Sequence, residues 1–400
     1  MRASQFLAIL FVFLMTTNSL TAAPSTTFEL LDGDRVILLG NTFIERAQRY
    51  GHIEAAMTCR YPDRNITFRN LGWSGDTVWA ESRGIFDNAA KGYQRMIEQV
   101  KGLKPTVIIL GYGGNEAYAG EAGLERFVKQ YNKLMDDLKK ASGEKVRFVI
   151  VTPTRHEKAG PPLPDPEPIN AKLSIYRDAL SKIAEDRKCA FVDLFGQFRR
   201  PIPLTDNGIH LTENGYRVLS GTFVGFMKST SRTGFWVGID FKKQASRQHD
   251  TEIKDLKLNG DECQFKVVDP TKGDANGPWR FLRVYGLPDG RYTLKIDGRD
   301  NVTHTAAAWA KGTTISIPAA QRRYDQLRQT IVEKNELYFY QWRPQNVTYL
   351  LLFRKHEQGN NAVEIPQFNP LIAAKEKEVA KLREPVTRTF EIVKAKGGAK

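Results

Sequence analysis

Cysteine is scarce in this chain: Cys59, Cys189 and Cys263 are its three, and no two of them form a C-x-x-C pair. Their spacing excludes a disulfide framework and a cysteine-built zinc site. The six histidines are scattered, with no H-x-x-x-H among them, so no metal is implied. The phosphate-cradling run G-x-x-x-x-G-K-[ST] is missing, and no dinucleotide fingerprint follows the first strand-like segment. Nucleotide chemistry and a bound cofactor are therefore not expected. Zinc-finger, RRM and bZIP patterns are absent as well. Beyond residue 23 no apolar run is long enough to span a membrane.

What is present is length, core-forming residues and an excess of positive charge. The 400 residues suit two or three domains, and a hydrophobic share of 41% can fill real cores. Lys and Arg number 59 against 45 Asp and Glu, a net charge of +14. The cations are spread thinly, which reads as a dispersed basic surface that suits anionic polymers and not as a nucleic-acid footprint. At the N-terminus, Arg2 precedes the ten apolar residues Phe6–Met15, and small residues follow at Thr21-Ala22-Ala23. Ten residues of helix reach about 15 Å, half of a hydrocarbon core of roughly 30 Å. Residues 1–23 therefore read as a signal peptide, and the protein is expected to be exported, periplasmic or extracellular, with no transmembrane span in the mature chain.

From Asp34 to about Lys228, short apolar runs alternate with helical periodicity. Val36–Leu39, Ile66–Leu71, Thr106–Leu110, Val146–Val151 and Ala190–Phe195 read as buried parallel strands. Ile44–Cys59, Lys91–Val100, Leu124–Ala141, Leu173–Glu185 and Gly215–Met227 read as helices. This alternation predicts an α/β domain over residues 24–229, a parallel sheet with helices on both faces. After Ser229 come short strand-like runs and the turn Pro288-Asp289-Gly290, which predict a β-rich, sandwich-like domain over residues 230–318. Ala319–Lys334 and Leu371–Leu382 read as helices of a C-terminal extension, residues 319–400, with Pro385 stopping the second.

Ligands of such parallel sheets bind beyond the carboxyl ends of the strands, so the segments there matter most. Gly40-Asn41-Thr42 follows the first strand, and Gly72-Trp73-Ser74-Gly75-Asp76-Thr77 follows the second. Gly111-Tyr112-Gly113-Gly114-Asn115-Glu116 follows the third, and Asp206-Asn207-Gly208-Ile209-His210 lies past the fifth. This set resembles the SGNH (GDSL-type) hydrolase superfamily, whose blocks run Gly-Asp-Ser, Ser-Gly-Asp-Thr, Gly-x-Asn-Asp and Asp-x-x-His. The resemblance covers about Asp32 to Met227, half the chain; the second and third blocks match well, the first and last do not. The whole chain also resembles exported planctomycete-type members that carry a β-domain and a basic tail.

The resemblance implies a three-layer α/β/α, flavodoxin-like parallel sheet and an esterase acting on ester bonds, with acyl or acetyl esters of carbohydrates as the substrate class. It assigns the nucleophile to Thr42, the base to His210, and the oxyanion donors to the Gly75 amide and the Asn115 side chain. These residue types suit acyl transfer. A hydroxyl attacks, an imidazole with an ordinary pKa near 6.5 takes its proton, and an Asn amide donates without titrating.

The departures leave alternatives open. Thr42 stands where the family has Ser, its β-branch crowds the attack, and Thr42-Phe43-Ile44-Glu45 equally fits a capping box in which the hydroxyl only caps a helix. Asn207 stands where the family has Asp; in the serine-protease template that exchange costs roughly 10⁴ in rate. Asp206 is the other candidate to orient His210, and Asp206-Asn207-Gly208 also reads as an ordinary turn. Gly75-Asp76 reads as an oxyanion block or as only a tight turn, and Asn115 as an oxyanion donor or as a loop anchor. Trp73 and Trp79 read as stacking surfaces for a sugar or acyl group, or as core. His156-Glu157 and His356-Glu357 read as spare acid–base pairs or, with the balance on this side, as surface or loop-anchoring pairs. The expected partner is an ester-bearing small molecule or polysaccharide, anionic polymers included, and not nucleic acid. The rival expectation is a hydrolase fold that has lost turnover and binds glycan or cell-wall material.

Overall fold

The computed structural model describes residues 27–198, 202–228, 234–269, 279–357 and 361–395. The expected signal peptide, residues 1–23, lies outside them. Strands β1 (Arg35–Gly40), β2 (Thr67–Asn70), β3 (Val107–Gly111), β4 (Arg147–Val151) and β5 (Ala190–Val192) form a sheet in the order β2-β1-β3-β4-β5, every pair parallel. Helices α1 (Thr42–Tyr50), α2 (His52–Arg60), α3 (Ala89–Leu103), α4 (Leu124–Ser142), α5 (Glu167–Asp186) and α6 (Glu213–Gly225) cover it. Side chains of a strand alternate between faces, and β3 feeds two cores accordingly. Ile108 and Leu110 join Met96, Phe127 and Leu180 on the α3-α4-α5 side, while Val107 and Ile109 join Ile44, Met57 and Leu219 on the α1-α2-α6 side. The three-layer α/β/α architecture follows from that alternation.

The helical stretch expected over Ile44–Cys59 is two helices. Gly51 sits between them at φ 68°, a left-handed conformation that ends α1, and its N–H donates to the Ala47 carbonyl. The strand order reverses direction between β1 and β3, which opens the crevice where such sheets bind ligands. Gly40 and Gly111 face each other there in register. A Cβ on Gly40 would collide with the Gly111 carbonyl, and one on Gly111 would lie 2.7 Å from the Ile44 side chain. The two glycines therefore let both strand ends and the first turn of α1 meet.

The second half contains two sheets over one core. Strands β6 (Gly234–Asp240), β7 (Ala245–His249), β8 (Ile253–Asn259), β9 (Glu262–Asp269), β10 (Trp279–Tyr285), β11 (Arg291–Ile296), β12 (Arg299–Thr305) and β13 (Thr313–Thr314) are joined by β14 (Val386–Lys394). The sheet orders are β13-β10-β6-β7 and β12-β11-β14-β9-β8. Phe235 of one sheet meets Phe390 of the other edge to face, centroids 6.2 Å apart. Helices α7 (Ala306–Lys311), α8 (Pro318–Trp342), α9 (Val347–Leu350) and α10 (Phe368–Arg383) complete the chain. The C-terminal extension is thus more than helical, since β14 returns to the middle of the five-stranded sheet, between β11 and β9.

Helix α8 packs on the α/β domain, with Leu327 and Ile331 against Ala55 and Cys59 of α2. The buried Lys334 ammonium pairs with Glu54, and Asn335 Nδ2 donates to the other Glu54 oxygen at 3.0 Å. Arg69 and Glu376 of α10 add an ion pair at 2.6 Å. No helix among the described residues is long and apolar enough to cross a membrane.

Candidate active site

The site is assembled from the first turn of α1 outward. Asn41, not Thr42, is the N-cap: its backbone is extended (φ −86°, ψ −157°) and its Oδ1 accepts from the Phe43 amide at 3.2 Å. Asn is at least as good a cap as Thr, and β1 ends at Gly40, so the helix starts one residue before the expected capping box. Glu45 closes no box either. Its carboxylate accepts from the Ser74 amide at 2.6 Å and pairs with Arg343 at 2.9 Å. The Thr42 hydroxyl is left to accept from the Gly75 amide at 3.0 Å.

The loop after β2 is drawn onto α1 by backbone contact. A Cβ on Gly72 would overlap the Glu45 amide, so only glycine permits the approach. Asn70 holds the loop from both sides, donating to the Ile44 carbonyl at 2.7 Å and accepting from the Gly72 amide at 2.8 Å. Gly75 takes φ 74°, a left-handed conformation in which its N–H turns toward Thr42. Beneath it, the buried Asp76 carboxylate accepts from Arg83 at 2.6 Å and from the Tyr112 hydroxyl at 3.2 Å.

The loop after β3 supplies Asn115, whose Nδ2 donates to the Asp76 carbonyl at 2.7 Å. That bond occupies one of its two N–H groups. Glu116, where the family has Asp, is buried and clamps the two loops together. It accepts from the Val78 and Gly113 amides, each at 2.8 Å. Burial pushes its carboxyl up to about 7, with the Asp76 charge adding to the effect.

His210 arrives on a tight hairpin held by Glu157, which accepts from the Leu204 amide at 3.0 Å and the Thr205 amide at 2.8 Å. Glu157 is therefore the loop anchor that the sequence suggests. Asn207 Oδ1 accepts from the Ile209 and His210 amides at 3.1 and 2.8 Å, which turns its Nδ2 toward His210 Nδ1, 3.2 Å away. The Asp206 carboxylate is half-exposed and pairs with Arg46 at 3.5 Å instead. Of the two candidate orienters, the structure brings Asn207 to the ring. Burial, and after it the Arg46 guanidinium, hold the His210 imidazole below its usual value, with Asp206 acting weakly the other way.

Thr42, Asn115 and His210 line one pocket of about 240 Å³ in the β1–β3 crevice, together with Asn41, Arg46, Tyr118 and His156. Trp73 and Trp79 do not line it. The Arg343 guanidinium covers the Trp73 ring at 3.6 Å, with Trp342 tilted against it at 5.8 Å. Trp79 packs on the α3-α4-α5 core under Arg126, 4.5 Å from its ring.

Arg46 and Arg343 escape the motif-based reading. Arg46 lies one helical turn after Thr42, a spacing that puts both on one helix face. His156, which the sequence offers as half of a spare acid–base pair after the fourth strand, does reach the pocket; burial and the neighbouring His210 hold its imidazole below its usual value. Arg343, at the end of α8, carries no sequence signal linking it to Trp73 in a loop 270 residues earlier.

The GDSL-like lipase/acylhydrolase family profile matches residues 18–218, half of the chain. Among solved structures, a gut microbial diltiazem-metabolizing enzyme covers 92% of this chain and 99% of its own at 17% identity, with a TM-score of 0.72. That likeness extends the shared fold through the β-rich domain and helices. A catalytic mutant of an acetylxylan esterase from Geobacillus stearothermophilus covers 50% of this chain and 100% of its own at 17% identity, TM-score 0.39. A lipolytic G-D-S-L family protein from Veillonella parvula covers 48% and 96% at 15% identity, TM-score 0.32. No curated protein sequence matches the chain. With its four strand-end loops gathered on one crevice and its profile match over residues 18–218, the chain belongs to the GDSL-like lipase/acylhydrolase family of ester hydrolases.

Proposed function

We propose that the chain hydrolyses short acyl esters, acetyl groups on carbohydrate above all, with Thr42 as nucleophile. The observation that carries this is the Thr42 hydroxyl, 3.0 Å from the Gly75 amide, in a pocket shared with Asn115 and His210. At about 240 Å³ the pocket is smaller than most drug-sized sites, which favours a short acyl group with the sugar outside. Thr42 Oγ1 attacks the ester carbonyl while its proton passes to His210 Nε2. The oxyanion takes the Gly75 N–H, released from Thr42, and the second N–H of Asn115. The imidazolium then protonates the departing alcohol, and water, activated by the same ring, frees the acid from Thr42. Export by an N-terminal signal would bring the enzyme to polysaccharide substrates.

A second reading is favoured by the Asn207–His210 contact: a pocket that binds glycan esters and has lost turnover. The two are separated by the purified protein with p-nitrophenyl acetate, alongside Thr42→Ala and His210→Ala variants. Hydrolysis that falls at least about 10²-fold in both variants supports catalysis. Activity that survives both changes removes these residues from the mechanism, and no activity in the unaltered chain favours the binding reading.

A further inference from the structure

The sheet β13-β10-β6-β7 turns one face to the core and one to solvent. Phe235, Val237 and Ile239 of β6 are buried, so the alternate residues Trp236, Gly238 and Asp240 point outward. Tyr285 of β10 stands in register with Asp240, and Arg247 of β7 stands opposite Gly238. The solvent face of a one-sided sheet is ordinarily polar; this one sets aromatic rings among cations.

The Trp236 indole lies along the sheet over Gly238, where a Cβ would come within 2.5 Å of the ring. A glycine in mid-strand weakens the strand, and here it marks the place where a ring needs the floor. The Tyr285 hydroxyl accepts from Arg283 at 2.9 Å, which fixes the second ring on the same face. A cleft of about 570 Å³ lies between the rings, lined by Lys242, Lys243 and Arg247 against the single carboxylate of Asp240. Asp240 Oδ1 accepts from the Lys242 and Lys243 amides at 3.0 and 3.1 Å, leaving Oδ2 for a ligand hydroxyl.

We infer that this cleft binds a polysaccharide bearing carboxylates, a polyuronate. The flat rings take the apolar faces of the pyranoses, the three cations pair with uronate groups, and Asp240 accepts from sugar hydroxyls. The free Asp240 Oδ2 favours a sugar chain, whose ring hydroxyls can donate to it, over single-stranded DNA, whose sugar–phosphate backbone has no hydroxyl to offer. The inference involves no residue of the pocket at Thr42 and stands whether or not that pocket turns over.

Affinity electrophoresis of the intact chain through gels containing polygalacturonate, unsubstituted xylan, dextran sulfate or single-stranded DNA tests it. Polygalacturonate is expected to retard the protein most. Trp236→Ala, and separately the pair Lys242→Glu and Lys243→Glu on the exposed turn, should weaken the affinity at least ten-fold. Thermal melting and any p-nitrophenyl acetate turnover should be unaffected by the turn pair. Absence of retardation, retardation indifferent to both sets of changes, or stronger retardation by dextran sulfate or DNA would overturn the inference.

Discussion

Asn207 Nδ2 lies 3.2 Å from His210 Nδ1, and that contact decides where the imidazole carries its proton. Two backbone amides already occupy Asn207 Oδ1, so the side-chain nitrogen is what faces the ring. Nδ1 must then accept, and the neutral ring holds its proton on Nε2. A general base needs a lone pair at Nε2. A carboxylate at this position would hold the opposite tautomer, so the proposed chemistry proceeds from a minor form of His210.

Asn207→Asp should therefore raise kcat. One carboxylate oxygen can keep the two amide bonds while the other accepts from Nδ1–H. The serine-protease template values the carboxylate at roughly 10⁴ in rate, and a gain of about 10² or more is expected here with little change in KM. Steady-state kinetics on p-nitrophenyl acetate measure it. An unchanged or lower kcat in a folded variant contradicts the tautomer mechanism.

The pH profile should carry the mark of Arg46. Burial first and the Arg46 charge second keep His210 below 6.5, so the acidic limb of kcat/KM is expected below that pH. Arg46→Gln removes a positive charge and lets the imidazolium form more readily, so the limb should move to higher pH. A limb that stays put would mean that Arg46 does not act on the titrating group.

Stability should depend on pH through Glu116. Its buried carboxyl keeps a proton up to about 7, whereas the unfolded chain releases it near 4.5. The contribution is full below 4.5 and drains away as pH rises to about 7, on the order of 3 kcal/mol. Urea unfolding across this range should show the decline, and Glu116→Gln, which cannot ionise, should flatten it. Equal slopes in both proteins would contradict the assignment.

Arg343 is a positioning residue, holding Glu45 of α1 and the Trp73 ring at once. Arg343→Ala should lower kcat about ten-fold, since small displacements of a reacting constellation are expensive, with KM little changed. Lys at this position can restore the ion pair but not the planar stack, so Arg343→Lys is expected to recover only part of the rate. A loss confined to melting temperature would make Arg343 structural only.

Much of the α/β domain is legible in the sequence because its strands carry their signal locally. Val107-Ile108-Ile109-Leu110 is apolar at every position, as a strand buried on both faces must be. The edge strands β7 and β12, Ala-Ser-Arg-Gln-His and Arg-Asp-Asn-Val-Thr-His-Thr, have a largely solvated face and no such pattern. β14 is missed for another reason: its partners β9 and β11 lie about a hundred residues earlier, beyond the reach of any local window. In the site, Gly75, Asn115 and His210 are visible as blocks of a known spacing. The helix start is misjudged because Asn41 competes for the cap, and the partner of the Thr42 hydroxyl lies 33 residues away.

The most direct test of the proposed mechanism is to trap the acyl-enzyme. The protein, mixed with p-nitrophenyl acetate, quenched in acid and digested, should yield an acetylated peptide containing Thr42, and Thr42→Ala should yield none. Turnover without acylation of that peptide, or acyl transfer to a different side chain, would contradict Thr42 as the nucleophile.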